Sequence, residues 1–122
     1  MVAKKILLVD DSNTVLLMEK MLLANEGYQL LTASNGREAV NRAQAEKPDL
    51  ILLDVVMPDL SGFEACKQIR ARADTREIPV IMVTTRSEAT NVQIGFESGC
   101  NDYVTKPING VELITKIKNH LR

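Results

Sequence analysis

The stretch KPDLILLDVVMPDLSGFE, residues 47–64, decides how this chain is read. Its centre, Leu50-Ile51-Leu52-Leu53, is continuously apolar over the length of a strand, the pattern expected when both faces are covered. It runs directly into Asp54. A carboxylate set against such a run loses hydration and is expensive to keep ionised unless something compensates its charge. Asp59, in MPDLSG, reads as a turn former. Ser61 and Glu64 then stand in capping-box spacing ahead of a helix carrying Phe63, Cys66 and Ile69.

Four further apolar runs flank this unit: Lys5 to Val9, Tyr28 to Ala33, Pro79 to Val83 and Tyr103 to Thr105. The first and the Pro79 run are continuous, whereas Tyr28 to Ala33 alternates and suits an edge strand. Segments of helical length lie between them. SNTVLLMEKMLLANEG places Val15, Met18 and Leu22 on one face and is stopped by Gly27 in the C′ manner. SNGREAVNRAQAEK has Ala39, Val40 and Ala43 on one side. SEATNVQIGFESG groups Ala89, Val92 and Phe96, with Gly95 costing about 1 kcal/mol relative to Ala. NGVELITKIKNHLR has Asn109 and Glu112 in capping-box spacing and a stripe of Val111, Ile114, Ile117 and Leu121. Five alternating βα units predict an α/β fold, a doubly wound parallel sheet with helices on both faces. Ligands bind such sheets at the carboxyl ends of the strands.

The 122 residues suit one domain, 1–122, with a largely aliphatic core, since only 3% are aromatic. A formal net charge of −1 without runs of like charge argues against a nucleic-acid or anionic-membrane surface. No apolar run approaches the roughly 18 residues that span a bilayer, and the N-terminus lacks the apolar core of a signal peptide, so no membrane insertion and a cytoplasmic location are expected. Cys66 and Cys100 fit no metal or redox spacing and read as small apolar residues, and His120 as a surface residue near a helix end. No G-x-G-x-x-G or P-loop follows any strand.

Asp10 and Asp11 follow the first strand, Asp54 the third, Thr84 and Thr85 the fourth, and Lys106 the fifth. Taken singly, such acids are turn formers or helix N-caps, and Asp11-Ser12 is open to that reading. As a set they emerge on one rim. Carboxylates about 4 to 6 Å apart repel by roughly 3 to 4 kcal/mol per close pair at an effective dielectric of about 20. A divalent cation with oxygen ligands offsets that repulsion, and Mg²⁺ suits a site of few carboxylates and several waters. Asp54 can then act as a nucleophile toward a phosphoryl group, with Asp10 and Asp11 holding the metal, Lys106 supplying a fixed cation and Thr84 a hydroxyl.

ILLVDDS, PDLILLDVVMPDLSG, IPVIMVTT and GCNDYVTKPI closely resemble the receiver domain of two-component response regulators, in its single-domain, CheY-like form. The resemblance runs from about Lys5 to Leu121. It implies a flavodoxin-like strand order 2-1-3-4-5, with Asp54 as phosphoacceptor and Mg²⁺ (Mn²⁺ as a substitute) bound by Asp10, Asp11, Asp54 and the main-chain carbonyl of Val56. It implies Thr84 and Lys106 as phosphoryl contacts, Tyr103 as an aromatic switch, and a cis bond before Pro107. The implied partners are a histidine kinase or histidine phosphotransfer domain and a downstream target protein.

Tyr103 is open to two readings, a ring that fills space vacated by Thr84 or a half-buried edge aromatic. The first helix holds more apolar residues than one buried stripe uses, so Thr14, Val15 and Met18 either dock the phosphodonor or belong to a well-buried helix. Val56 offers no group to orient a hydrolytic water, Arg86 is placed to shield an acyl phosphate, and Thr85 narrows donor access; a phosphorylated state lasting minutes is expected. A phosphatase or dehalogenase turning over on Asp54 is a second reading, but such folds want a second acid where Val56 stands. A purely structural interaction module with a vestigial site is a third, and within the first reading a stand-alone protein competes with a receiver cut from a longer regulator. As given, the sequence carries no output segment and is expected to signal by protein contact.

Overall fold

The computed structural model describes residues 3–85 and 89–121, with the backbone alone for 89–92. Ten elements alternate along the chain: β1 (Lys5–Val9), α1 (Asn13–Leu23), β2 (Gln29–Ala33), α2 (Gly36–Glu46), β3 (Leu50–Asp54), α3 (Gly62–Ala71), β4 (Val80–Thr84), α4 (Ala89–Glu97), β5 (Asp102–Thr105) and α5 (Gly110–His120). All strand pairs are parallel and the order is β2-β1-β3-β4-β5, as the sequence predicts.

The period of two along each strand divides the core into two layers. Leu7, Val9, Ile51, Leu53, Val80 and Met82 face α2 and α3, meeting Ala39, Val40, Ala43, Ala65, Cys66 and Ile69. Ile6, Leu8, Leu50, Leu52, Ile81, Val83 and Val104 face α1 and α5, meeting Leu16, Leu23, Leu113 and Ile117. The strands covered on both faces are thus the continuously apolar ones. Arg70 fastens the end of α3 to the loops before β4 and β5: its guanidinium donates to the carbonyls of Gly99 (2.8 Å) and Ile78 (2.7 Å) and to Asn101 Oδ1 (2.7 Å).

Several helix faces differ from the expected ones. On α1 the buried residues are Leu16, Glu19 and Leu23, while Val15 and Leu22 are half-buried and Met18 is exposed. That helix is apolar nearly all round, so hydrophobicity did not choose its face; contact with the sheet did. On α5 Val111 is 77% exposed, and Leu113 and Ile117 carry the burial. Phe96 on α4 is exposed rather than part of a buried stripe, and the side chains of Ala89 and Val92 lie outside the described residues. Gly95 is buried where α4 comes close to its neighbours: a Cβ there would lie 3.3 Å from Cys100 Sγ. Gly27 has φ +80 but lies beyond the α1 cap at Ala24, in the following turn, so it is not the C′ residue.

The caps are local and largely as read. Ser12, Asn35, Ser61 and Asn109 each accept an amide from the third residue onward, and Ser61 with Glu64 completes a capping box. Asp59 adopts φ +67 in the β3–α3 loop. That loop folds back on the strand, with the Gly62 amide donating to the Val55 carbonyl at 2.9 Å. A Cβ on Gly62 would collide with the Asp54 carbonyl. Gly62→Ala is therefore expected to lower unfolding stability in urea by about 2 to 3 kcal/mol through overpacking of backbone against backbone; an unchanged midpoint would contradict this account of the loop.

Candidate functional site

The carboxyl ends of β1, β3, β4 and β5 form one rim, and the polar residues of the sequence reading collect there. Asp10 follows β1, is 1% exposed, and is oriented by the Ser12 amide, which donates to its Oδ1 at 2.9 Å. Asp11 beside it is exposed, and Ser12 rather than Asp11 caps α1. Asp54 is the last residue of β3, buried, and in register with Val83. Thr84 ends β4, also buried, and its carbonyl accepts the Lys106 amide at 2.6 Å. The Lys106–Pro107 peptide bond is cis.

Lys106 reaches back across the rim. Its Nζ lies 3.2 Å from Asp10 Oδ2 and 3.4 Å from Asp54 Oδ1. One carboxylate oxygen from each of Asp10, Asp11 and Asp54 lies within 4.8 Å of the other two. Burial pushes Asp54 up to about 6, helped by the charge of Asp10 and opposed by Lys106. Burial works against the charge of Lys106, but Asp54 and Asp10 outweigh it and hold the ammonium above its ordinary value. Three carboxylates that close, two of them buried, with a single ammonium, form a hard oxygen donor set of the kind that fits Mg²⁺.

The remaining sequence-derived residues lie around this centre. Val56 is 70% exposed just beyond Asp54. Thr85 is exposed, and Arg86 lies outside the described residues. Tyr103 is half-buried on β5, its ring edge-on to Phe96 with centroids 6.3 Å apart, and Lys116 Nζ stands 4.8 Å from the ring centroid. Lys116 also donates to the Tyr103 carbonyl at 2.5 Å and pairs with Asp102 at 3.3 Å. Thr14 and Met18 are exposed and, with Leu17, Met21 and Leu22, line a shallow apolar groove of about 430 Å³ along α1.

Two features escaped the sequence. His120 is not surface decoration: its Nε2 lies 3.1 Å from Asp102 Oδ2. Burial works against the charge of Asp102, yet the Tyr103 amide, His120 and Lys116 together hold its pKa below the usual carboxylate range. Glu19 is 1% exposed in the α1 face packed on the sheet. Its spacing from Leu16 and Leu23 was the available signal, obscured because a wholly aliphatic stripe could be drawn one residue away.

A model of the response regulator receiver domain matches residues 6–118. The chain belongs to that family. This receiver domain is 43% identical over 113 residues to protein PilH of Pseudomonas aeruginosa, covering 93% of both chains. It is 42% identical over 119 residues to the alkaline phosphatase synthesis transcriptional regulatory protein PhoP of Bacillus subtilis, covering 98% of this chain and 49% of PhoP. It thus spans about half the length of the one relative and nearly all of the other. Among solved structures, the receiver domain of the sensor histidine kinase PA1611 of Pseudomonas aeruginosa, which has a magnesium ion coordinated in its active site cleft, superposes with a TM-score of 0.91 at 29% identity, covering 98% of each chain. No helix among the described residues is long and apolar enough to cross a membrane.

Proposed function

We propose that residues 1–122 act as one cytoplasmic phosphoacceptor module, taking a phosphoryl group onto Asp54 from a histidine kinase or histidine phosphotransfer domain. The observation that carries this reading is the convergence of Asp10, Asp11 and Asp54 with Lys106 bridging two of them. In the transfer, the P–N bond to the donor histidine breaks and an O–P bond to the Asp54 carboxylate forms. Asp10, Asp11, Asp54 and the Val56 carbonyl would hold Mg²⁺, with Mn²⁺ as a substitute, and the bound ion would neutralise charge on the phosphoryl oxygens. Lys106 supplies a fixed positive charge on one side of the transferring group, and Thr84 a hydroxyl donor on the other. Thr14, Val15 and Met18, on the α1 flank beside the rim, are the docking surface for the phosphodonor.

Phosphorylation adds about −1.5 to −2 charges at the rim. Drawing Thr84 toward the phosphoryl group opens space for Tyr103. Inward rotation of that ring gives up the Phe96 edge contact and the Lys116 cation–π contact, each on the order of 1 kcal/mol. A bias of about 2.7 kcal/mol toward the phosphorylated conformation shifts the two-state ratio about a hundredfold, enough to overcome both. The altered α4–β5–α5 surface is what a downstream target protein reads.

Incubation with acetyl phosphate and Mg²⁺ is expected to add the mass of one phosphoryl group to the intact protein, and none to Asp54→Asn or in the presence of a chelator. Equal labelling of Asp54→Asn would overturn the reading. With Val56 unable to orient a water, the label is expected to decay over minutes; loss within seconds contradicts that part.

A further inference from the structure

Glu19 is the one buried carboxyl group among the described residues that the phosphoacceptor reading does not use. Both of its oxygens are buried without a hydrogen-bond partner. An orphaned buried carboxyl is costly, and the neighbouring positions on the same face, Leu16 and Leu23, show what ordinarily fills such a site. Side chains on a helix lean toward its N-terminus, so Glu19 points back up α1 toward the acidic rim. The charges that act on it most strongly are those of Asp10, then Lys106, then Asp54. It therefore lies within electrostatic reach of the rim carboxylates and of Lys106.

Lys106 occupies an awkward position in the pocket. Its ammonium sits on Asp10 Oδ2 and Asp54 Oδ1, whose carboxylates a divalent cation must also use. An ammonium and a divalent ion that share the same carboxylate oxygens repel each other. Lys106 has three N–H donors and its side chain is only 23% exposed, so an ammonium displaced from those oxygens needs other acceptors in their place. Glu19 offers the one further buried carboxyl group among the described residues.

We propose that Glu19 is a positioning residue for Lys106: its carboxyl group receives the ammonium when a divalent cation takes the oxygens of Asp10 and Asp54. The proposal rests on the reading of that pocket as a phosphoacceptor site. Glu19 touches neither phosphoryl group nor metal. It acts by giving Lys106 a second berth, which favours the metal-loaded pocket and keeps the lysine within reach of an incoming phosphoryl group.

The test is an amide chemical-shift titration with MgCl₂ on wild type, Glu19→Gln and Glu19→Leu, following the Lys106 side-chain resonances in parallel. Glu19→Gln is close to isosteric, and Glu19→Leu matches its neighbours, so both variants are expected to fold. The expected result is a threefold to tenfold weaker Mg²⁺ affinity, larger for Leu, together with loss of most of the Mg²⁺-induced shift at Lys106. Affinity equal to or tighter than wild type in both variants would overturn the proposal. So would weaker affinity with an unaltered Lys106 shift, which is what simple removal of a distant charge produces. If wild type itself shows no Mg²⁺ response at Asp10, Asp11 or Asp54, the phosphoacceptor reading fails, and the role assigned to Glu19 fails with it.

Discussion

Replacing Glu19 by leucine is expected to stabilise the metal-free protein more than any other single change at this site. Burial, reinforced by Asp10 and Asp54 and only partly offset by Lys106, raises the Glu19 pKa from 4.5 to about 8. Between those two values the folded protein holds a proton that the unfolded chain has released, so stability falls as pH rises. The contribution is fully favourable below about pH 4.5, declines through the neutral range and levels off above about pH 8. At about 1.4 kcal/mol per pKa unit the cost at pH 7 is on the order of 3 kcal/mol. For a domain of this size that corresponds to a rise in Tm on the order of 10 °C in Glu19→Leu. Thermal unfolding of both proteins from pH 4 to 9 checks it: the variant should lose the wild type's decline between about pH 4.5 and 8. Parallel curves would show that Glu19 is solvated or paired in solution. Kept at such a cost, the group is better explained by its effect on Lys106 than by packing.

Removing Lys106 should act in the opposite direction. Lys106→Met leaves Asp10 and Asp54, 1% and 4% exposed, without their shared cation. Breaking a buried pair costs about 3 to 5 kcal/mol. Because the lysine side chain is 23% exposed, about 2 kcal/mol is the expected loss at pH 8. At pH 5, below the Asp54 value of about 6, that carboxyl takes up a proton and the penalty shrinks. Mg²⁺ should restore most of the lost stability by replacing the missing charge. Urea midpoints at both pH values, with and without Mg²⁺, decide the matter; equal midpoints at pH 8 would mean that the ion pairs contribute nothing. The Glu19→Leu and Lys106→Met changes share one pocket, so their effects are expected to be non-additive: the Lys106–Glu19 attraction is lost in each single variant and counted twice in their sum, so the double variant should be more stable than the sum predicts.

The strands and the rim residues could be read directly because their signals are local. Leu50 to Leu53 must be covered on both faces wherever the chain goes, and an acid immediately after a strand must appear at that strand's carboxyl end. Helix faces were less legible. In α1, Val15, Leu16, Leu17, Met18, Met21, Leu22 and Leu23 make both sides apolar, so neither side is marked as the inner one. Phe96 and Val111 look like core residues by type and spacing, but they lie on the outer faces of helices whose sheet-facing positions are already filled by Gly95, Leu113 and Ile117. His120 and Lys116 carried no local sign of Asp102, which belongs to β5 rather than α5.

The amino-acid sequence alone determined the alternation of five strands and five helices, the parallel sheet and the identity of the acids at its edge, because each follows from periodicity and composition within a few neighbouring residues. Tertiary structure alone decided that Lys106 meets Asp10, 96 positions away, that α1 turns Glu19 inward and Met18 outward, and that Gly62 must lack a Cβ beneath Asp54. Those outcomes depend on which surfaces come together when the helices pack on the sheet. Contacts between distant segments are set by the shape and charge of both partners at once, and neither partner's local sequence contains the other.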